Sequence, residues 1–303
     1  MDRRTFIKKS IGASIAFGAF TTSTGYGHLS GQSSDGVDLV AVKGGEPDFM
    51  FDKGIEALGG MKTFVPKGSK VVVKPNIGWD VAPERAGNTN PKLVARIVKH
   101  CYDAGAKEVH VVDHTCDEWK RCYTNSGIEK AAQEAGAKMI PGGNESYYHE
   151  VKIPMGKSLK TAKEHETILN ADVFINVPIL KNHSGTSLTI AMKNLMGNVW
   201  DRKFWHRNDL HQCVADFATY RKPHLNVVDA YYVMKTNGPR GVSVEDVVTM
   251  KAQLISTDIV AVDAAAAMLF GTKPEEIRHI QIAADMKVGR LDIDKLNIKR
   301  ISV

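Results

Sequence analysis

Cysteine is scarce in this 303-residue chain: there are four, Cys101, Cys116, Cys122 and Cys213. So few thiols cannot knit a disulfide framework. None stands in the repeated Cys-x-x-Cys spacing of a zinc ribbon or a ferredoxin cluster. They read as buried thiols, with Cys116 and Cys122 the one pair suited to bridging outside the cytoplasm. Aromatic residues are also few, and none interleaves with a basic stripe, which removes the signature of a nucleic-acid binder. Positive charge is thin. Half of the formal +6 sits in the first 27 residues, where Arg3, Arg4, Lys8 and Lys9 face only Asp2. Beyond the N-terminus no apolar run approaches the roughly 20 residues of a membrane-spanning helix. There is no tandem repeat and no low-complexity core.

What is present begins with Asp2-Arg3-Arg4-Thr5-Phe6-Ile7-Lys8-Lys9, a paired-arginine start, followed by an uncharged apolar stretch from Ile11 to Phe20. A basic start, a short apolar middle and a small-residue exit make a targeting peptide. The twin arginines point to the export route for proteins that fold before crossing the membrane, and so to a periplasmic or extracytoplasmic location. No clean Ala-x-Ala site precedes Gly27, so an ordinary secretory signal and a retained anchor stay open. Residues 28–36 are rich in Gly and Ser and read as a linker. Residues 37–303 read as a single domain.

In that domain strand and helix signals alternate. Strands are expected at Val37–Val42, Lys70–Val73, Glu108–Val112, Ala137–Ile140, Ala171–Val177, His224–Val228 and Met250–Ser256. Helices are expected at Asp48–Leu58, from Pro91 to Ala104, Ser126–Ala135, Leu210–Tyr220, Asp258–Phe270 with Gly271 as its stop, and from Pro274 to Ala284. Val71, Val72 and Val73 leave no polar face, as in a strand buried on both sides. The pattern implies an α/β fold: a doubly wound, largely parallel sheet with helices on both faces. The irregular stretch Gly142–Leu159 reads as a small inserted β meander.

In such folds ligands bind beyond the carboxyl ends of the strands, and the unusual polar residues collect there. Lys74 and Asn76 follow one strand, and Asp113 and His114 another. Lys181, Asn182 and His183 follow a third, and Asp229 a fourth. The densest segment runs Pro178-Ile179-Leu180-Lys181-Asn182-His183-Ser184-Gly185-Thr186-Ser187 and on to Lys193-Asn194. Ser184, Thr186 and Ser187 suit a helix N-cap. A helix starting near Thr186 would aim free N–H groups at an anion and carry Thr186, Thr189, Lys193 and Gly197 on one stripe. Lysine with histidine suits acid–base chemistry. His206, His211 and Cys213 form a weaker candidate metal set. The turn-rich loop Lys235–Gly241, with Asn237, reads as turns, a lid or a backbone anion site.

These residues together resemble a known family. Lys74-Pro75-Asn76, the segment Leu180–Gly197, Val228-Asp229 with Asn237-Gly238-Pro239, and Ser256-Thr257-Asp258 with Val262-Asp263 and Gly271 are similar to domain-of-unknown-function family 362. The resemblance runs from about Val37 to the C-terminus. Many members are fused to iron–sulfur ferredoxin modules, which implies redox or cofactor-linked work and, for a chain without a cluster motif, a redox partner protein. The sheet-end lysines and histidines are also distantly similar to those of lactate racemase, which holds a nickel-pincer cofactor with Lys and His.

The expected function is therefore an exported enzyme acting on a small anionic substrate by Lys/His acid–base or metal-assisted chemistry. Lys181, His183, Lys193 and His114 would do the chemistry. Lys74, Asn76, Asp113, Asn182, Ser184, Thr186, Asn194, Asp229 and Asn237 would line the ligand. No metal or cofactor is named by the residues. The alternative is a non-catalytic periplasmic binding protein for a metal, a cofactor or an anion.

Overall fold

A computed structural model describes residues 36–303, so the targeting peptide and all but the last residue of the linker lie outside the described residues. The strands are β1 Leu39–Lys43, β2 Lys70–Pro75, β3 Glu108–Val111, β4 Lys138–Met139, β5 Tyr148–Lys152, β6 Thr161–His165, β7 Val173–Val177, β8 Ile179–His183, β9 Ser187–Thr189, β10 Leu225–Met234, β11 Val247–Ser256 and β12 Ile298–Ser302. Ten of them form one sheet in the order β12-β1-β11-β10-β7-β2-β3-β4, with β8 attached to β10 and β9 to β8. From β10 to β4 every pair on that path is parallel. β11 runs antiparallel to both of its neighbours.

Both faces of this mostly parallel sheet are covered. Side chains alternate across a strand, so Val72, Phe174, Val228 and Leu254 enter one core, which holds the helices Leu210–Tyr220 and Ile259–Phe270. Val71, Val73, Ile175, Val227 and Ile255 enter the other, against the helices Pro47–Glu56 and Pro91–Asp103. Each fully buried Val, Ile or Leu contributes roughly 1.5–3 kcal/mol relative to exposure. The helix ends follow local chemistry. Pro91 opens its helix, with the Asn90 side chain accepting from Lys92 N. Asp258 accepts from the N–H groups of Val260 and Ala261, and Gly271 closes that helix at φ 103°, a conformation glycine adopts without a Cβ penalty.

Four expectations are corrected. Gly142–Leu159 is not a meander on its own. It supplies β5, which pairs with β6 as a separate antiparallel hairpin extending to His165. An extra helix, Trp119–Asn125, precedes Ile128–Glu134. The stretch from Pro274 splits into a 3-10 turn and the helix Arg278–Asp285. β10 does not end at Asp229 but runs on to Met234, with a bulge between Ala230 and Tyr232.

Candidate functional site

β2, β3 and β7 are parallel neighbours, so their carboxyl ends open on one edge. There the sheet parts. Pro178 follows β7, and β8 continues along β10 without rejoining β2. The loop 76–90 enters the gap. Thr89 Oγ1 accepts from Asn76 N at 2.8 Å and donates to Val177 O at 2.7 Å. Asp229 secures the end of the loop, accepting Asn90 N at 2.7 Å and Tyr231 N at 3.0 Å. Removing its carboxylate would leave two N–H groups unpaired.

The gap ends in a cavity of about 60 Å³, lined by Lys74, Asn76, Asp113, His114, Cys116, Lys181, His183, Lys193, Asn194 and Arg202 among others. That is room for a few water-sized groups. Four of these side chains are cations, and Asp113 is the one carboxylate among the lining residues. Lys74 Nζ lies 2.8 Å from Asp113 Oδ1, and both side chains are nearly inaccessible. Burial lowers the pKa of Lys74, while Asp113 pulls it back. The other Asp113 oxygen accepts Ile77 N at 2.7 Å. Gly197 abuts this pair. A Cβ there would stand 1.8 Å from Asp113 Oδ1, so no larger residue fits without breaking the pair.

Lys181 Nζ donates to Asn76 Oδ1 at 3.1 Å and to Gly87 O at 2.5 Å. Burial brings its pKa down to about 7. Behind it runs a row of side-chain amides. Asn76 Nδ2 donates to Asn194 Oδ1 at 2.9 Å, Asn194 Nδ2 to Asn176 Oδ1 at 2.9 Å, and Asn176 Nδ2 to Asn226 Oδ1 at 3.0 Å. Asn226 Nδ2 donates to Ser256 O at 3.3 Å.

Lys193 differs from the other three cations. It is 9% exposed, and its ammonium has no hydrogen-bond acceptor or ion-pair partner among the described residues. Burial brings its pKa down to about 8, with Arg202 and Lys74 pushing in the same direction and Cys116 opposing. Arg202, by contrast, is spent on carbonyls: Nη1 on His114 O at 2.9 Å and Nη2 on Thr115 O at 2.5 Å. Its Nη1 also stands 3.4 Å from Cys116 Sγ.

The two histidines are held in opposite tautomers. His114 Nδ1 meets Val199 O at 2.8 Å. A carbonyl only accepts, so Nδ1 carries the proton and Nε2 offers a lone pair. His183 Nδ1 accepts Gly185 N at 2.9 Å, which leaves the proton of the neutral ring on Nε2. Burial lowers His114 to about 4 and His183 to about 2. Both are neutral near pH 7, and Lys181 and Lys193 are the lining groups that titrate close to it.

Eight of the expected residues thus meet at one cavity: Lys74, Asn76, Asp113, His114, Lys181, His183, Lys193 and Asn194. Five do not line it. Asp229 holds the loop 76–90 from within β10. Asn182 Oδ1 accepts Gly238 N at 2.9 Å. Asn237 donates to Asp246 Oδ1 at 2.6 Å. Ser184 is exposed, and Thr186 is buried with its hydroxyl on Leu188 O. The expected helix at Thr186 is also absent: Ser187–Thr189 is β9, antiparallel to β8. The helix that carries Lys193 starts at Ala191. Its N-terminus is already capped, since Asp263 accepts Ala191 N at 2.6 Å and Met192 N at 3.0 Å, so no anion is taken there.

The loop 235–241 is fastened by Asp246, which accepts from Thr236, Asn237, Val242 and Ser243. Gly238 lies so close to Asn182 that a Cβ would meet its carbonyl at 1.8 Å. The loop contributes Pro239 to the cavity. Arg202 and Cys116 were not anticipated as lining. Arg202 lies just past the dense segment, where only its closeness to Gly197-Asn198 hinted at a role.

His206, His211 and Cys213 do not make a metal set. Among the described residues no group of three or more His, Cys, Asp or Glu is placed to hold a metal ion. Cys213 is buried in the core, and His211 stacks on His279 at 5.6 Å. An iron–sulfur cluster does not fit either. Cys101, Cys122 and Cys213 are buried, the first two in one core and the third on the opposite face. Cys116, expected to be buried or bridged to Cys122, is exposed, and both thiols are free.

A family model described as a domain of unknown function, DUF362, matches residues 71–268. The chain belongs to this family. Among curated proteins, the thylakoid-associated protein sll1697 of Synechocystis sp. is 28% identical over 224 residues, 69% of this chain and 65% of that protein. The match thus spans just under two thirds of the relative's length. Among solved structures, the lactate racemase apoprotein of Thermoanaerobacterium thermosaccharolyticum aligns with a TM-score of 0.45 and 12% identity, over 73% of this chain and 54% of that one. A protein from Thermotoga maritima aligns at 0.40 and 11%, over 80% and 60%. Likeness at this level carries no function across.

Proposed function

We propose that this member of the family is an exported enzyme that holds a small oxyanion in the cavity and moves a proton with Lys181. One observation carries the reading. Lys193 has a side chain about nine-tenths buried whose ammonium reaches the cavity with no acceptor among the described residues, in a lining where cations outnumber the single carboxylate. A charge so largely withdrawn from water favours an anionic partner, and a carboxylate or phosphate would supply it. His183 Nε2–H is a second donor beside it.

Lys181 has the geometry of an acid–base group. As a neutral amine it keeps two N–H donors and one lone pair. Its two fixed acceptors, Asn76 Oδ1 and Gly87 O, occupy the donors, so the third position is where a proton comes and goes. A pKa of about 7 suits general base catalysis near neutrality. Lys74 and Asp113 hold the floor, and Asn76 and Asn194 orient the base.

The test has two parts. Calorimetric titration with inorganic phosphate, acetate and oxalate should show binding that weakens as pH rises through about 8, where Lys193 loses its charge. A screen of small carboxylic acids for proton exchange in D2O, read by NMR, should show turnover that rises through about 7. Lys181→Met should abolish it. Turnover governed instead by a histidine-like step near 6.5 would overturn the role of Lys181. Binding without turnover across the screen would leave a non-catalytic binding protein. A stoichiometric metal in the purified protein would move the reading to metal-assisted chemistry.

A further inference from the structure

A second, larger cleft of about 730 Å³ opens beside the polar cavity. Two residues, His114 and Arg202, line both. The cleft carries apolar surface on Leu159, Val199, Trp200 and Phe204, with Trp200 stacked on His114 at 4.8 Å and 4°. Phe204 is 40% exposed.

The cleft is also built rather than loose. One wall is the β5–β6 hairpin, clamped from three sides. Glu164, fully buried, takes the guanidinium of Arg221 at 2.5 Å. Asp216 accepts Ser158 N at 2.7 Å and Leu159 N at 2.8 Å, fixing the connection between the strands. Trp200 N donates to Lys163 O at 2.9 Å, tying the hairpin to the segment that carries Lys193 and Arg202.

We propose that the two cavities are one binding site, and that its ligand is an oxyanion bearing an apolar, aromatic-sized body. The reading rests on the anion site described above. The small cavity has room for a charged head and little more. The body runs past His114 and Arg202, which line both cavities, and lies against Trp200 and Phe204. Aromatic rings in the lining favour a flat body. The head is a carboxylate or a phosphate; the chemistry of Lys193 accepts either.

The experiment compares heads with and without a body on the full-length protein. Inorganic phosphate is set against phenyl phosphate and 2-naphthyl phosphate, and acetate against benzoate and 2-naphthoate, each by calorimetry. The expected result is that a naphthyl body tightens binding by about ten-fold or more within one series, from the apolar area it removes from water. The series with the gain identifies the head. In Phe204→Ala, whose side chain is exposed and lies outside the core, the ratio of naphthyl to parent affinity should fall toward one.

Equal affinity for parent and naphthyl ligands in both series would overturn the joined site while leaving the anion site standing. A naphthyl gain that Phe204→Ala does not reduce would also overturn it, because the body would then lie elsewhere. Absence of binding by every ligand would remove the anion site and this inference together.

Discussion

Lys193 sets a conflict between stability and binding at the scale of one residue. Its folded pKa of about 8 lies below the ordinary 10.5. The folded state therefore binds fewer protons than the unfolded state between those values, and stability falls as pH drops from 10.5 through about 8. Lys193→Met, which keeps the length and removes the charge, should raise the melting stability at pH 7 by about 2 kcal/mol. The gain should shrink toward pH 10.5. The same variant should lose phosphate and oxalate binding. Thermal unfolding at pH 7 and 10 checks the sign, and an unchanged or lower melting point at pH 7 would mean that the ammonium already has its partner. Such a trade is expected where a residue is kept for function.

At the scale of elements, the short helix Ala191–Asn194 depends on a cap 72 residues away in sequence. Asp263 offers two oxygens to two N–H groups, whereas asparagine offers one and turns an amide toward the second. Asp263→Asn should lower stability by about 1–3 kcal/mol and weaken phosphate binding by displacing Lys193. A normal melting point would show that the cap is dispensable. The same distance explains what could and could not be read in advance. Pro91, Asp258 and Gly271 act within a turn of their own helices, and those boundaries were legible to a residue or two. Val71 to Val73 announced a strand buried on both faces. Lys74, Asn76, Asp113, His114, Lys181 and His183 were legible because strand ends converge in this fold class. The helix start was not, because Ser184, Thr186 and Ser187 look like caps while the cap comes from Asp263. Ser187, at φ 63°, turns the chain into β9 instead. Asp229 looked like a strand end because nothing local shows that β10 continues along β8. The β5–β6 hairpin was obscure because its anchors, Arg221 and Asp216, lie on a later segment.

At the scale of the whole molecule, the sheet separates two cores and leaves one edge for chemistry. The surface carries no helix, among the described residues, long and apolar enough to cross a membrane. If the paired arginines direct export, a reporter fused after them should reach the periplasm, and Arg3→Lys with Arg4→Lys should keep it in the cytoplasm. Export of the double variant through the general secretory route would sink that reading. The row of amides crosses this whole architecture, from β8 through the loop at Asn76, the helix at Asn194, β7 and β10, to the carbonyl of Ser256 on β11. Each member gives its hydrogen to the oxygen of the next, and the sequence of gifts begins at an ammonium, which can only give. The row therefore has a direction, with every carbonyl dipole turned back toward Lys181. Taking a proton from that lysine leaves this direction in place, since the neutral amine still donates to Asn76 Oδ1, but weakens the first link of a polarised wire, so the charge state of the cavity is felt as polarisation in the middle of the sheet.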